Sequence, residues 1–468
     1  MAQPILSQIE GVDFPPVLGA RAATLMALQQ QFDETQWWPA ERLRDAQFTQ
    51  LRLLLAHARA HNPFLAERLA AAGLAHDAPL DEAAWCKIPV LSRAELRQHG
   101  DRLVCTEIPA SHGKTSVARS SGSTGIPIRV TKSALAQLIW EASLIREELW
   151  HRDDPTGTIA RLHPPPSGLP DALKAQVDSP AGAVAPDWGP PCNIIWKTGR
   201  IGLMTVKQDI AAQAAFVERI GATYLYTFPS NLQLLKAHYQ STGRHPPRLR
   251  SIWTGSEILS PDLRRDCEAF FGCPVVDTYS TAETGYIALQ CPESGLFHIQ
   301  SETVKVEILD PSGTPCLPGQ TGRVVVTPLH NFAMPLLRYE IGDEAEVGPP
   351  CTCGRGLPTL SRVVGRTTDY LVHPDGRRTR SSQLTGEFTG FPNVVQYQII
   401  QRSLERIEVM IVADPPFTPE TRQPLQSTIE RAFDHGFTID VTFHPRIPIE
   451  PGGKLRPFKT DLPEGIRA

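Results

Sequence analysis

The run Ser120-Ser121-Gly122-Ser123-Thr124-Gly125 combines several hydroxyls with glycines that free backbone N–H groups to turn toward an anion. Those features suit a phosphate cradle. The run is not a P-loop, because no lysine follows its last glycine as G-x-x-x-x-G-K-[ST] requires. On its own, such a run is more commonly a flexible turn. A second constellation is thiol-based: Cys351-Thr352-Cys353-Gly354 sits in a Pro/Gly turn, and Cys291 and His298 bracket CPESGLFH. Two thiolates one residue apart plus a Cys-x6-His pair could form a tetrahedral Cys3His zinc site, structural because four protein ligands leave no position for substrate. Four ordinary reduced residues are the alternative. Cys86, Cys105, Cys192, Cys267, Cys273 and Cys316 have no such neighbours and are expected to be plain thiols.

These residues need elements to position them. From Arg42 to Asn62, Leu43, Phe48, Leu51, Leu54, Leu55 and Ala58 recur at helical spacing, which predicts an amphipathic helix. A second helix is expected after Ser133 as N-cap, with Leu135, Leu138, Ile139, Ala142, Ile145 and Leu149 on one side, and the IRV before it reads as a strand. Beyond Trp150, helices near Ala211–Arg219 and Asn231–Gln240 alternate with strand-like ATYLYTF, RSIWTG and PVVDTY, which argues for an α/β sheet. After Glu283, TVKVEIL and GRVVVTPL indicate a β-rich subdomain. The last hundred residues predict strands near Val394–Gln401, Glu405–Val412 and Phe437–Phe443 and a helix near Pro424–Asp434 opened by its proline, together a compact α+β domain.

The composition bounds what this framework does. The 468 residues carry 46 Lys+Arg against 50 Asp+Glu, for a net charge of −4, with 41% hydrophobic and 21% charged residues. That is globular, long enough for two or three domains, and too neutral for an extended nucleic-acid surface. No stretch approaches a membrane span, and Glu10 and Asp13 interrupt the opening segment where a signal peptide would be apolar. A cytoplasmic protein without membrane or nucleic-acid partners is expected, and nine cysteines suit a reducing compartment. The 43 prolines are an excess expected to punctuate ordered loops.

Taken in order, SSGSTGIP, GSE (Gly255–Glu257), YSTAETG (Tyr279–Gly285), RYEIGD (Arg338–Asp343), VGRTTD (Val364–Asp369) and GGKLRP (Gly452–Pro457) resemble the adenylate-forming superfamily, and more closely its phenylacetate–CoA ligase branch with capsule-biosynthesis-type relatives. The resemblance runs from the HNPFLAERL helix to the C-terminal lysine. It implies a large N-terminal α/β domain with a β-rich subdomain, 1–364, and a small mobile α+β domain, 365–468. The implied reaction joins a carboxylate to AMP from Mg-ATP, releases pyrophosphate and passes the acyl group to a nucleophile, a task of positioning and charge neutralisation.

On that resemblance Ser120 to Gly125 wrap the β- and γ-phosphates, Glu283 holds Mg²⁺, and Asp343 takes both ribose hydroxyls. Arg366 is the hinge arginine reaching the ribose or phosphate edge. Lys454 bridges the attacking carboxylate and the α-phosphate. Ser256, Glu257 and Tyr279 fall in motifs placed around the nucleotide. The family pocket for the acid runs past Tyr226, Phe228, Trp253, Ser256 and Tyr279, whose aromatic walls suit an aryl or arylacetyl acid, although Tyr226 and Trp253 could equally fill the sheet core. His163 and Trp196 lie in loops that relatives place near the pocket mouth. Zinc is a feature of some relatives on this branch.

Two positions depart from the family pattern. Ala282 stands where relatives place a Thr or Ser before the magnesium glutamate, leaving Thr281 or Thr284 to compensate, and Thr368 precedes Asp369 where relatives often have two acidic residues. The expected function is activation of a carboxylic acid, aromatic or otherwise compact and hydrophobic, with transfer to coenzyme A. An amine or a carrier-protein thiol is the alternative acceptor, and a non-catalytic nucleotide-binding scaffold is the more distant reading. The resemblance implies a homodimer by analogy alone.

Overall fold

The computed structural model describes residues 5–74, 79–119, 128–165, 169–366, 370–381, 391, 393–433, 436–449 and 453–463. The expected phosphate loop, 120–125, lies outside them, as do 368, 369 and 434. Among the described residues, no helix is long and apolar enough to cross a membrane. The chain divides into two compact units. One comprises Met1–Thr156, Gly189–Thr198 and Thr278–Val364, and the other Gly157–Trp188, Gly199–Asp277 and Gly365–Ala468. One of the divisions falls at 364/365, within the strand Thr359–Arg366.

In the first unit the strands run in the order Val304–Leu309, Thr321–Pro328, Tyr339–Val347, Thr359–Arg366, Phe297–Ile299 and Gly285–Gln290, followed by the end of Val275–Thr281. The apolar side chains expected of Ala40–His61 are its buried stripe, and Phe48, Leu51, Leu54 and Leu55 join Val324, Val326, Leu336 and Ile341 in one core. Asn62 ends that helix and caps the next, Pro63–Ala71, its Oδ1 accepting from Leu65 N at 2.9 Å. Ser133 likewise caps Ala134–His151 through Ala136 N, at 3.2 Å. Arg146 on that helix is fully buried. It donates to Glu302, Gln300 and the Phe32 carbonyl, so its charge is matched by a carboxylate at 2.8 Å.

In the second unit four parallel strands lie in the order Ser251–Gly255, Tyr224–Thr227, Ile159–Leu162 and Ile201–Met204, with Ala183–Ala185 antiparallel at the edge. The helices Ile210–Arg219 and Pro229–Thr242 connect successive strands, Pro261–Phe271 leads on to Val275–Thr281, and Phe216, Leu232, Leu235, Cys267 and Phe271 form the core with Leu162, Leu225 and Ile252. The alternation read from the sequence is therefore a doubly wound sheet. Its order reverses between Ile159–Leu162 and Tyr224–Thr227, and in such sheets ligands lie beyond the carboxyl ends of the strands at that reversal.

The C-terminal part of this unit is a four-stranded sheet, Thr438–Phe443, Arg406–Ala413, Val394–Gln401 and Phe458–Thr460, covered by Pro419–Ala432. That helix starts five residues before the expected Pro424. Thr418 caps it, donating and accepting with Thr421, and Pro419 occupies the first position, where a missing N–H costs nothing. The cap-plus-proline signal outweighed Pro424, which sits inside the helix.

Candidate active site

In the first unit, Glu283 follows the strand Val275–Thr281 in a tight turn. Thr281 and Thr284 bridge that turn through their hydroxyls at 2.8 Å, and Thr284 N donates to Thr281 Oγ1 at 3.1 Å. The two hydroxyls flank the position of Ala282. The Glu283 carboxylate is buried, and Arg93 Nη1 approaches it at 3.4 Å while donating to the Ile341 carbonyl at 2.9 Å. Glu283, Thr284, Lys132, Trp140, His330 and Asn331 line a small cavity of about 30 Å³.

Lys132 is nearly fully buried, with its ammonium 4.4 Å from the centre of the Trp140 ring. Burial drives its pKa down to about 8, against the opposing pull of Glu283. Its strand, Arg129–Ser133, is held by Asn331, which donates to the Thr131 carbonyl at 2.9 Å. Sequence reasoning passed over Lys132. The available signal was a lysine one strand beyond a phosphate-type loop that lacks its own. A buried carboxylate beside a small cavity fits a magnesium ion, which takes one or two carboxylates and leaves its other positions to water and phosphate oxygens.

Asp343 lies on Tyr339–Val347, buried, with Oδ2 accepting from Tyr279 Oη at 3.1 Å. Arg338, which opens the same motif, serves the core. It pairs with Glu307 at 2.8 Å and donates to the Cys86 and Ile88 carbonyls, each at 2.7 Å. Trp196 is buried in this unit.

The second unit brings Lys454 together with other residues at strand ends. Gly453 has φ +79°, a left-handed conformation that favours glycine, and a Cβ there would meet Pro164 Cγ and Val206 Cγ2 at 2.8 Å. The turn is thus pressed against the His163–Pro164 loop. Leu455 N donates to Glu257 Oε1 at 2.9 Å and Ser230 N to Oε2 at 3.0 Å. Burial raises the pKa of Glu257, while those hydrogen bonds and the charge of Lys454 lower it. Glu257 therefore positions the lysine turn. Ser256 is exposed at the end of Ser251–Gly255 and holds φ +69°, strained for a non-glycine residue. Arg366 ends the strand Thr359–Arg366.

Phe228 is fully buried in the apolar cluster of this unit, whereas Tyr226 and Trp253 are register partners outside that cluster. The ring of His163 lies 4.4 Å from Phe228 and 5.5 Å from Tyr226. Burial, reinforced by Arg161 and Lys454, drives the His163 pKa down to about 3.

The thiol constellation converges in the first unit. The ligand atoms of Cys291, His298, Cys351 and Cys353 all lie within 4.8 Å of one another. Cys351 and Cys291 sulfurs are 3.8 Å apart, and Cys353 Sγ is 3.3 Å from His298 Nε2. A zinc tetrahedron with Zn–S of about 2.3 Å has S···S edges of about 3.8 Å, so the set fits the ion. His298 Nδ1 donates to the Leu357 carbonyl at 3.2 Å, which turns Nε2 toward the sulfurs. Burial lowers the His298 pKa to about 4, giving the neutral ligand form. Burial pushes the Cys291 thiol up, but hydrogen bonds from Ser294 and from the Glu293 amide outweigh it and leave the net below the ordinary value.

The family model for AMP-binding enzymes matches residues 194–333, and that for the CapK C-terminal domain matches 371–461. A phenylacetate–coenzyme A ligase of Thermus thermophilus is 26% identical over 90% of this chain and 97% of its own. The protein CapK of Staphylococcus aureus is 25% identical over 44% of this chain and 45% of its own. In fold, the chain resembles a 2-hydroxyisobutyryl-CoA ligase solved in its postadenylation state with 2-HIB-AMP, with TM-score 0.69, 17% identity and 92% of each chain covered. The two family matches and the similarity to a phenylacetate–CoA ligase along most of the chain support an adenylate-forming enzyme of the branch that holds the phenylacetate–CoA ligases and CapK. Its class is the AMP-forming acid–CoA ligases.

Proposed function

We propose that the protein activates an aromatic or compact hydrophobic carboxylic acid as its acyl-adenylate and then transfers the acyl group to coenzyme A. A carboxylate oxygen attacks the α-phosphorus of ATP, pyrophosphate leaves, and the CoA thiol displaces AMP, its proton passing to solvent. The observation that carries this reading is the Lys454 turn, held by Glu257 and pressed against the His163–Pro164 loop at the reversal point of a parallel sheet. Lys454 neutralises charge between carboxylate and α-phosphate, Asp343 accepts from the ribose hydroxyls, and Arg366 reaches the ribose or phosphate edge. The outer phosphates are assigned to residues 120–125, which lie outside the described residues. Glu283 would hold magnesium, which when bound offsets phosphate charge. Cys291, His298, Cys351 and Cys353 would hold a structural zinc.

In this reading 1–364 is the large domain and 365–468 the mobile one, which delivers Lys454 for adenylation and turns about Arg366 for thioester formation. ATP–pyrophosphate exchange over a panel of carboxylic acids tests the activation. Lys454→Ala should abolish acyl-AMP formation and spare acyl transfer from supplied acyl-AMP, and equal loss of both half-reactions would overturn the two-step geometry. Offering preformed acyl-AMP to CoA and to amines separately tests the acceptor. Turnover with an amine and none with CoA would replace the thioester by an amide.

A further inference from the structure

We propose that His163 selects an acid that carries a hydrogen-bond donor, a hydroxyl or amino group, on an aromatic or compact body. The inference rests on the acid-activating reading above and narrows its substrate class. His163 directly follows Ile159–Leu162, and Phe228 directly follows Tyr224–Thr227, so the two stand on either side of the point where the sheet order reverses. That is where a ligand of a doubly wound sheet is expected.

The imidazole has one fixed tautomer. Its Nδ1 lies 3.2 Å from the Pro164 carbonyl, which can only accept, so Nδ1 carries the proton. Nε2 is therefore a bare lone pair. It is buried and has no hydrogen-bond partner among the described residues. An acceptor left in that state costs free energy that a ligand donor would recover. Burial, with the charges of Arg161 and Lys454, disfavours protonation of the ring, so Nε2 stays an acceptor. The partly exposed Tyr226 ring, 5.5 Å away, supplies a wall for the rest of the acid, while Phe228, buried in the core 4.4 Å away, backs the imidazole. The turn that carries Lys454 is pressed against Pro164, the residue after His163, so the lysine and the imidazole belong to the same end of the sheet.

A neutral acceptor fixed in an apolar wall discriminates sharply. A site built to bond a substrate O–H or N–H penalises the analogue that lacks it far more than an apolar pocket penalises a missing methylene.

The test is ATP–pyrophosphate exchange with matched acids: phenylacetate, its hydroxyphenyl isomers and the corresponding methyl ethers, and benzoate with its amino and hydroxy isomers. In the wild-type protein at least one donor-bearing isomer should exceed both its unsubstituted parent and its methyl ether by roughly 10- to 100-fold in kcat/KM. In His163→Phe that ratio should collapse to within a few-fold, whatever the overall rate. In His163→Gln, which keeps an acceptor oxygen, part of it should return. Exchange without donor preference in the wild type, or the same preference in His163→Phe, overturns the inference alone. Absence of exchange with every acid overturns the activating reading on which it rests.

Discussion

Tyr279 Oη donates to Asp343 Oδ2 at 3.1 Å, and both side chains are buried. The tyrosine hydroxyl is thereby committed to holding one carboxylate oxygen, which fixes the rotamer of Asp343 before a nucleotide arrives. Tyr279→Phe should weaken AMP and ATP equally, by about 3- to 10-fold, the usual worth of one net hydrogen bond. Calorimetric titration of both nucleotides checks this. Unchanged AMP affinity would remove Tyr279 from the ribose contact.

Glu257 holds the lysine turn with both oxygens, accepting from Leu455 N at 2.9 Å and Ser230 N at 3.0 Å. Glu257→Gln turns an amide NH₂ toward one of those N–H groups, so a donor faces a donor in a buried place. The acyl-AMP-forming half-reaction should fall about 10- to 100-fold, and thioester formation from supplied acyl-AMP by much less. Single-turnover measurement of each half-reaction decides it, and equal losses would reduce Glu257 to a general stability role.

Much of this architecture is legible in the chain because the signals are local. The stripe from Leu43 to Ala58 and the Ser133 cap specify their helices, and the β-branched runs at Val304–Leu309 and Val394–Gln401 specify strands. Pro261–Phe271 carries an equally clear signature, Ser260 as cap, a first-turn proline and Gly272 in the left-handed conformation at its end, and went unread. Ala20–Thr35 offers less, since its buried positions, Ala22, Leu25, Gln29 and Phe32, include a glutamine that becomes acceptable only by donating to the distant Ala142 carbonyl. The same limit governs the site. Spacing alone brought Cys291, His298, Cys351 and Cys353 into one set, but the unsatisfied Nε2 of His163 and the burial of the Lys132 ammonium beside Glu283, His330 and Asn331 are set by packing that spacing does not show.

Lys132 shares its cavity with Glu283 and has the Trp140 ring beneath it at 4.4 Å. A buried ammonium beside a magnesium-type carboxylate suits the outer phosphates of ATP. Lys132→Met, which keeps the stem on the indole, should lower affinity for Mg-ATP and for inorganic pyrophosphate by roughly 10- to 100-fold while leaving AMP little changed. Equal loss for all three would point to a structural effect instead.

The sulfur cluster makes a separate demand. Purified protein should contain one zinc per chain, and Cys351→Ser or Cys353→Ser should lower both zinc content and melting temperature, because metal binding and the folding of such loops are coupled. Sub-stoichiometric zinc in unmutated protein would leave the four residues as ordinary thiols and an imidazole. The Cys353 sulfur already accepts from Arg355 N at 3.4 Å, and Gly354, which directly follows Cys353, holds φ +85°. Gly354→Ala should therefore weaken zinc retention without removing a ligand.

Two further, partly buried histidines make stability fall in acid. Burial lowers the pKa of His151 to about 4, with Arg355 adding to the effect, and that of His330 to about 4, with His112 adding to it. Between about pH 6.5 and 4 the unfolded chain binds a proton at each ring and the folded chain does not, so stability rises with pH across that window. Acidification through it therefore costs up to about 1.4 kcal/mol per pH unit for each ring. Glu148 and Glu257 act in the opposite sense, since burial raises their pKa and stability from that source is lost as pH rises through it. The His330→Gln variant separates the two, because it removes one imidazole titration and leaves the carboxylates in place. Urea midpoints at pH 7, 6, 5 and 4.5 should drop less steeply for His330→Gln than for the wild type. Parallel curves for the two proteins would show that His330 does not titrate on unfolding in this range.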